Sequence, residues 1–230
     1  MSHYTLIAYY DETPFYSIPS LPWKGKDTHS YNIMQLSDTE LISYLSKIER
    51  TALLLLSGAN NAPIPNETAY QKEIFFIAKN DEELFDDADF EAYYYGPYSE
   101  PASIAMQHLL SYGLSEKKGD SYSITAYGKK IVHILKSQNR SDDLEIFDDI
   151  KDFFNDMTYN ERILITYILD PDYTTESKIR NKILLERFQL ACNMYQKGKV
   201  SLEMAAHLAD ISMERFLDTM RKNGCRHETS

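Results

Sequence analysis

Three groups of side chains in this sequence have types and spacings that bear on chemistry. The first is carboxylates. The runs "DEELFDD" (81–87) and "SDDLEIFDD" (141–149) gather enough acids to attract a divalent ion. Neither has the order of an EF-hand loop, which needs a glycine at the sixth place and a closing glutamate in register. A solvated acidic face, one that mimics DNA, or one that meets a basic partner is the expected role. The second group is thiols and imidazoles. Cys192 and Cys225 stand far apart, with no paired Cys-x-x-Cys, and His207 and His227 fall at no metal-ligand spacing relative to them. They read as buried or inert thiols. His108 and His133 lie on predicted helices and read as structural. There is no Gly-rich phosphate loop, no Gly-x-Ser-x-Gly and no His-Glu-x-x-His. No catalytic residue, metal or cofactor is expected, and the chain reads as non-enzymatic.

The third group is cations and tyrosines. The formal net charge is -11, which argues against a chain-wide nucleic-acid surface. The charge is unevenly spread: residues 176–230 carry a balance of +3 and residues 1–175 one of -14. Within 113–140, Lys117, Lys118, Lys129, Lys130, Lys136 and Arg140 face only Glu116 and Asp120. Near the C-terminus, Arg215, Arg221 and Lys222 share a predicted helix face with Glu214 and Asp218. The arginines suit base edges or phosphates, while the two acids oppose phosphate approach. Tyr93, Tyr94, Tyr95 and Tyr98 flank Gly96-Pro97. Successive side chains on a strand alternate, so these four cannot all face inward. Packing against an aromatic N-terminal arm is the simpler reading. The functional one puts the tyrosines and Ser99 at a helix start, where N–H groups and hydroxyls bind phosphate or a partner. Glu100 argues against phosphate there; the lysines argue for it.

The elements that must hold these residues follow from pattern. "YTLIAYY" (4–10) reads as a strand, and the segment to residue 36, with its prolines and Trp23, as an ordered arm. A helix is expected from Ser37 to about Ala59, ended by Asn60, Asn61, Pro63 and Pro65, and another over "NETAYQKEIFFIAKN". "DEELFDDAD" is a loop or short helix, and "FEAYYYG" has strand propensity. Ser99 caps "EPASIAMQHLLSYG", and Gly113 ends it. "LSEKKGDSYSIT" reads as a hairpin turning at Gly119, followed by a helix over "AYGKKIVHILKSQ". From 141 onward helices dominate. "DDLEIFDDIKDFFNDM" and "TYNERILITYILD" come first, then one long helix over "TTESKIRNKILLERFQLACNMYQKG" capped by Thr174 or Thr175. The last pair, "SLEMAAHLAD" and "SMERFLDTMRKNG", has the spacing of a helix-turn-helix. Ala205 and Ala206 allow a close crossing, Leu208 and Ile211 fill the angle, and Phe216, Leu217 and Met220 face inward.

"YQKGKVSLEMAAHLADISMERFLDTMRKNG" resembles a family of small prokaryotic helix-turn-helix antitoxins over about residues 185–225. "YYYGPYSEPASIAMQHLLSYGL" with "YSITAYGKKI" is similar to winged helix-turn-helix modules of uncharacterised prokaryotic regulators over about residues 45–136. Ala126-Tyr127 stand where that pattern usually carries charge. What the resemblance implies is regulation, transcriptional or toxin–antitoxin in kind.

The expected fold class is mainly α with a small β component: an arm (1–36), a winged helix-like domain (37–140) and a helical domain ending in a helix-turn-helix (141–230). No run approaches the roughly 20 apolar residues of a membrane span, and the N-terminus has no signal-peptide pattern, so the expected location is cytoplasmic. The expected function is a homodimeric regulator. It would bind duplex DNA through Arg215, Arg221, Lys222, Lys117, Lys118, Lys129, Lys130 and Ser99. It would hold a cognate toxin or other basic protein through its acidic surface and Tyr93, Tyr94, Tyr95 and Tyr98. The alternative is an interaction module that never touches DNA.

Overall fold

The computed structural model describes residues 36–138 and 142–222. The expected strand in 4–10, the arm with Trp23, Arg140, Cys225 and His227 lie outside the described residues. Among these residues the chain is mainly helical, with two small antiparallel two-stranded sheets. None of the described helices is long and apolar enough to cross a membrane.

The first helical stretch is not continuous. α1 (Asp38–Tyr44) and α2 (Lys47–Asn61) are separate, because Ser46 and Glu49 form a second capping box only nine residues after Ser37 and Glu40 form the first. Leu45 between them is extended, at φ -65° and ψ 127°. α2 is apolar on nearly every side, with Ala52, Leu53, Leu55 and Leu56 fully buried. It can be so because α3 (Glu67–Ala78), α5 (Glu100–Ser111), α6 (Ala126–Gln138) and α7 (Asp142–Phe154) all pack around it. Each such leucine contributes about 1.5–3 kcal/mol relative to exposure.

Between α2 and α3, Ile64 exchanges backbone hydrogen bonds with Tyr122, both at 2.9 Å. It thereby extends the hairpin of β3 (Ser115–Lys118) and β4 (Ser121–Ile124) by a single-residue bridge. Gly119 makes that hairpin turn at φ +60°. The acidic run forms α4 (Glu82–Ala88), capped by Asp81. β1 (Glu91–Tyr93) and β2 (Gly96–Tyr98) follow, then α5.

The C-terminal part comprises α8 (Tyr159–Leu169), a 3-10 turn (Pro171–Thr174), α9 (Arg180–Leu185), α10 (Arg187–Gln196), α11 (Leu202–Ala209) and α12 (Met213–Lys222). The single long helix expected from Thr174 is corrected in two places. Thr174 ends the 3-10 turn with its hydroxyl on the Pro171 carbonyl, and Ser177 and Lys178 are drawn aside by Tyr167 and Tyr94. Glu186 then separates α9 from α10.

Two hydrophobic clusters result. One runs from Leu41 to Phe147, the other from Phe154 to Met220. α7 contributes to both, and Phe76 and Ile150 pack against both. At the α2–α7 crossing a Cβ on Gly58 would lie 2.7 Å from the Phe147 carbonyl oxygen, so only glycine allows this approach. The chain then takes three left-handed residues in a row, Ala59, Asn60 and Asn61. α7 clamps this turn: Asp148 accepts from the Ala59 N–H at 2.7 Å, and the Lys151 ammonium donates to the Leu56 and Ala62 carbonyls.

Candidate functional site

The most elaborated surface is the tyrosine hairpin. β1 and β2 pair Glu91 with Tyr98, Ala92 with Pro97 and Tyr93 with Gly96, leaving Tyr94 and Tyr95 at the tip. Gly96 sits at φ +96°, where a Cβ would meet the Tyr167 ring at 3.2 Å and the Lys72 ammonium at 3.4 Å. Tyr93, Tyr94 and Tyr95 are 45%, 39% and 41% exposed. They are nonetheless fixed. Tyr93 stacks on Tyr94 with ring centres 4.4 Å apart, and Tyr98 adds a tilted contact at 5.1 Å. Tyr95 meets the edge of Tyr159 on α8, and Lys178 lies over Tyr94. Packing against the N-terminal arm falls outside the described residues; the partners in view come from α8 and the segment that follows it.

α3 forms the floor. Tyr70, Ile74, Phe75 and Ala78, at helical spacing, form its inner face, and all four are fully buried. The polar run Gln71-Lys72-Glu73 is buried as well, at 2%, 2% and 3% exposure. Gln71 donates to the Ser99 carbonyl at 3.0 Å and accepts from its N–H at 2.8 Å, which ties α3 to the end of β2. The Lys72 ammonium donates to the Pro97 carbonyl at 3.0 Å, and burial pulls its pKa down to about 7. Glu73 faces Lys151 and Arg162; burial raises its pKa, against the pull of those two cations, and burial lowers that of Lys151. Glu73 Oε2 and Arg162 Nε have no hydrogen-bond partner among the described residues.

Between floor and hairpin lies a cavity of about 210 Å³ lined by Glu67, Thr68, Gln71, Lys72, Tyr93, Tyr95 and Gly96–Tyr98. At its rim Glu67 accepts from Tyr122 Oη at 2.8 Å, from Ser103 Oγ at 2.5 Å and from Gln71 Nε2 at 3.1 Å. Burial pushes the phenol of neighbouring Tyr159 up to about 12.

Ser99 does not stand at a nucleic-acid face. It is fully buried; its hydroxyl accepts from the Ala102 N–H at 3.0 Å as the cap of α5 and donates to the Ala88 carbonyl. Lys117, Lys118, Lys129, Lys130, Arg215, Arg221 and Lys222 are exposed, while Lys136 is half-buried. Lys117 lies over the Tyr122 ring, Lys118 pairs with Glu116 at 2.7 Å and Lys130 with Asp38 at 2.5 Å. Lys129 lies in the first turn of α6. Arg215, Arg221 and Lys222 are exposed on α12, where Phe216 and Met220 are fully buried. Arg221 reaches Asp218 at 3.5 Å. These two sets of cations belong to elements of different hydrophobic clusters.

Sequence reading missed Gln71, Lys72 and Glu67. Their polarity marks a solvent face, and no local signal shows that the tyrosine hairpin will cover them. His108 pairs with Glu49 at 2.7 Å, a structural contact. Among the described residues no group of three or more His, Cys, Asp or Glu is placed to hold a metal ion. No protein-family model, curated protein or solved structure matches the chain.

Proposed function

We propose that this protein is a non-enzymatic, antitoxin-like regulator. Its winged helix-like N-terminal module holds a basic protein partner, and its C-terminal helix-turn-helix contacts operator DNA. The observation that carries the reading is α12. Only Phe216 and Met220 anchor it deeply, and Arg215, Arg221 and Lys222 stay exposed on a helix that follows α11 through a left-handed Asp210. A second helix set at such a turn is the one that enters a major groove. Operator half-sites would call for a homodimer, which light scattering reads directly.

The winged reading of the first module is supported by element order. α2, the Ile64 bridge, α3, α5 and the β3–β4 hairpin follow one another, with Ile64 paired to β4. The partner surface is supported by α4 and the hairpin. Glu82, Glu83, Asp86, Asp87, Asp89 and Glu91 are all exposed and lead straight into Tyr93. Fixed tyrosines give contact area at low entropic cost, and an acidic surround speeds encounter with a cationic partner.

A second reading, an interaction module without DNA contact, is favoured by α5. Its exposed residues are Glu100, Ile104, Gln107, His108 and Ser111, with no lysine or arginine, although α5 would be the groove-entering helix of a winged module. Fluorescence anisotropy on a random duplex across a salt series decides between the two. Three phosphate contacts from α12 give a slope of log affinity on log salt of about -2.7. Arg221→Ala with Lys222→Ala should reduce that slope. Lys117→Ala with Lys118→Ala should do so only if the wing takes part. Absence of binding at low salt leaves the interaction module.

A further inference from the structure

The cavity under the tyrosine hairpin holds a cation without a counter-ion. Among the described residues, Lys72 Nζ donates to the Pro97 carbonyl alone, and no carboxylate lies within ion-pair distance of it. A lysine ammonium carries three donors, so two are left over. Lys72 is 2% exposed, and moving such a group out of water costs several kcal/mol unless it is paired. A methionine or leucine would fill the same space at no such cost. Lys72 is nevertheless a lining residue of the cavity of about 210 Å³, under Gly96, whose missing side chain leaves the ammonium approachable.

The surroundings narrow the ligand. Three of the lining residues are tyrosines, Tyr93, Tyr95 and Tyr98, which favour a flat or apolar skeleton. The volume is below that of pockets for drug-sized ligands, about 300–1,000 Å³, and suits a single-ring or side-chain-sized group. Glu67, whose carboxylate accepts from three donors, stands at the rim. A dianionic phosphate would meet one cation and one carboxylate; a monoanion gains the cation at a smaller repulsion from Glu67. We infer that this cavity binds a small monocarboxylate, whose oxygens take the two remaining N–H groups of Lys72 while its skeleton lies between the tyrosine rings. The same chemistry is offered by a free organic acid and by the C-terminal carboxylate of a peptide. The site goes beyond the regulator reading and does not need it: Lys72 lies in the N-terminal module and α12 in the other hydrophobic cluster.

The test is an NMR titration of the full chain. Sodium benzoate is the probe for a free acid, with benzyl alcohol as its uncharged counterpart. An acetylated pentapeptide ending in phenylalanine, as free acid and as amide, is the probe for a chain terminus. Saturable shifts are expected at the amides of residues 71, 72 and 93–98 with benzoate or the peptide acid. None are expected with the alcohol or the amide. Which acid binds identifies the source. Lys72→Met should raise the dissociation constant at least about tenfold, the loss of one charge-assisted contact. Glu67→Gln should lower it on the order of threefold, by removing the opposing carboxylate. The inference is overturned if neither acid gives saturable shifts, if Lys72→Met responds like the wild type, or if Glu67→Gln leaves the affinity unchanged. The last variant keeps the test open should Lys72→Met fold poorly. DNA affinity measured on the same variants should not move, which keeps the two readings separable.

Discussion

The Lys178 ammonium nitrogen lies 3.5 Å from the centre of the Tyr94 ring, while the backbone N–H of the same lysine donates to the Tyr94 carbonyl at 3.3 Å. One residue of the C-terminal half thus holds the tip of the tyrosine hairpin by both its backbone and its side chain. Lys178→Met keeps the stem and the backbone bond but removes the charge. For an exposed cation–π contact the expected loss is about 0.5–1 kcal/mol. Amide exchange should speed up at Tyr94–Gly96 and stay unchanged at the β3–β4 hairpin. Equal exchange at both hairpins in variant and wild type would show that the contact does not restrain the tip.

Gly96→Ala tests the closeness of hairpin and floor. The position has φ +96°, and a Cβ would approach the Tyr167 ring at 3.2 Å. A non-glycine residue forced into such a conformation costs about 1–3 kcal/mol. Urea denaturation should show at least that loss, together with altered near-ultraviolet signal from the tyrosines. A neutral substitution would mean that the hairpin can lift without penalty.

Lys72 predicts an unusual pH dependence. Its folded pKa of about 7 lies below the ordinary lysine value of 10.5. The folded state therefore binds fewer protons than the unfolded chain between these values, and stability rises with pH across that window. The Lys72 ammonium donates to the Pro97 carbonyl, Glu67 stands at the rim of the same cavity, and Glu73 is turned instead to Lys151 and Arg162. Lys72→Met should be more stable than the wild type below pH 7. Its advantage should shrink by up to about 1.4 kcal/mol per pH unit above that. Chemical denaturation at pH 6, 8 and 9.5 reads it; a constant difference would show that Lys72 titrates as an ordinary surface lysine.

Gly58→Ala addresses the crossing of α2 and α7. With 2.7 Å to the Phe147 carbonyl oxygen, an added methyl forces backbone apart from backbone. Overpacking of this kind costs about 1–3 kcal/mol. The displacement should also release the Asp148 contact to Ala59. Asp148→Ala should then cost less in the Gly58→Ala background than in the wild type, a coupling that a double-mutant cycle measures.

Helix starts were legible because nearly every one is written in Ser, Thr, Asn or Asp. Asn66, Asp81, Ser99, Thr158 and Ser201 each accept a hydrogen bond from the backbone N–H of the third residue on. The β3–β4 hairpin and the terminal helix pair were legible for the same local reason. The break at Ser46 escaped although its Ser46–Glu49 capping box is local, because it lies in a run whose apolar spacing continues through it. The rest of what escaped was set by distant partners. The end of the 3-10 turn at Thr174 depends on Tyr94 and Tyr167, and no nearby residue announces them. The burial of Gln71 and Lys72 depends on a hairpin some twenty residues away, and Glu73 faces Lys151 of α7 and Arg162 of α8, further off still. The site was legible in its aromatic half and hidden in its polar half: the tyrosines declare themselves, whereas a lysine within a helix looks like any solvated one.

Phe76 and Ile150 border both hydrophobic clusters, and α7 begins in one and ends in the other. Neither half is therefore a cassette. Excising residues 155–222 for transplantation onto a foreign scaffold would strip a wall from each core at once. A chimera that respects this protein's seams must carry α3 and α7 along with whichever half is borrowed.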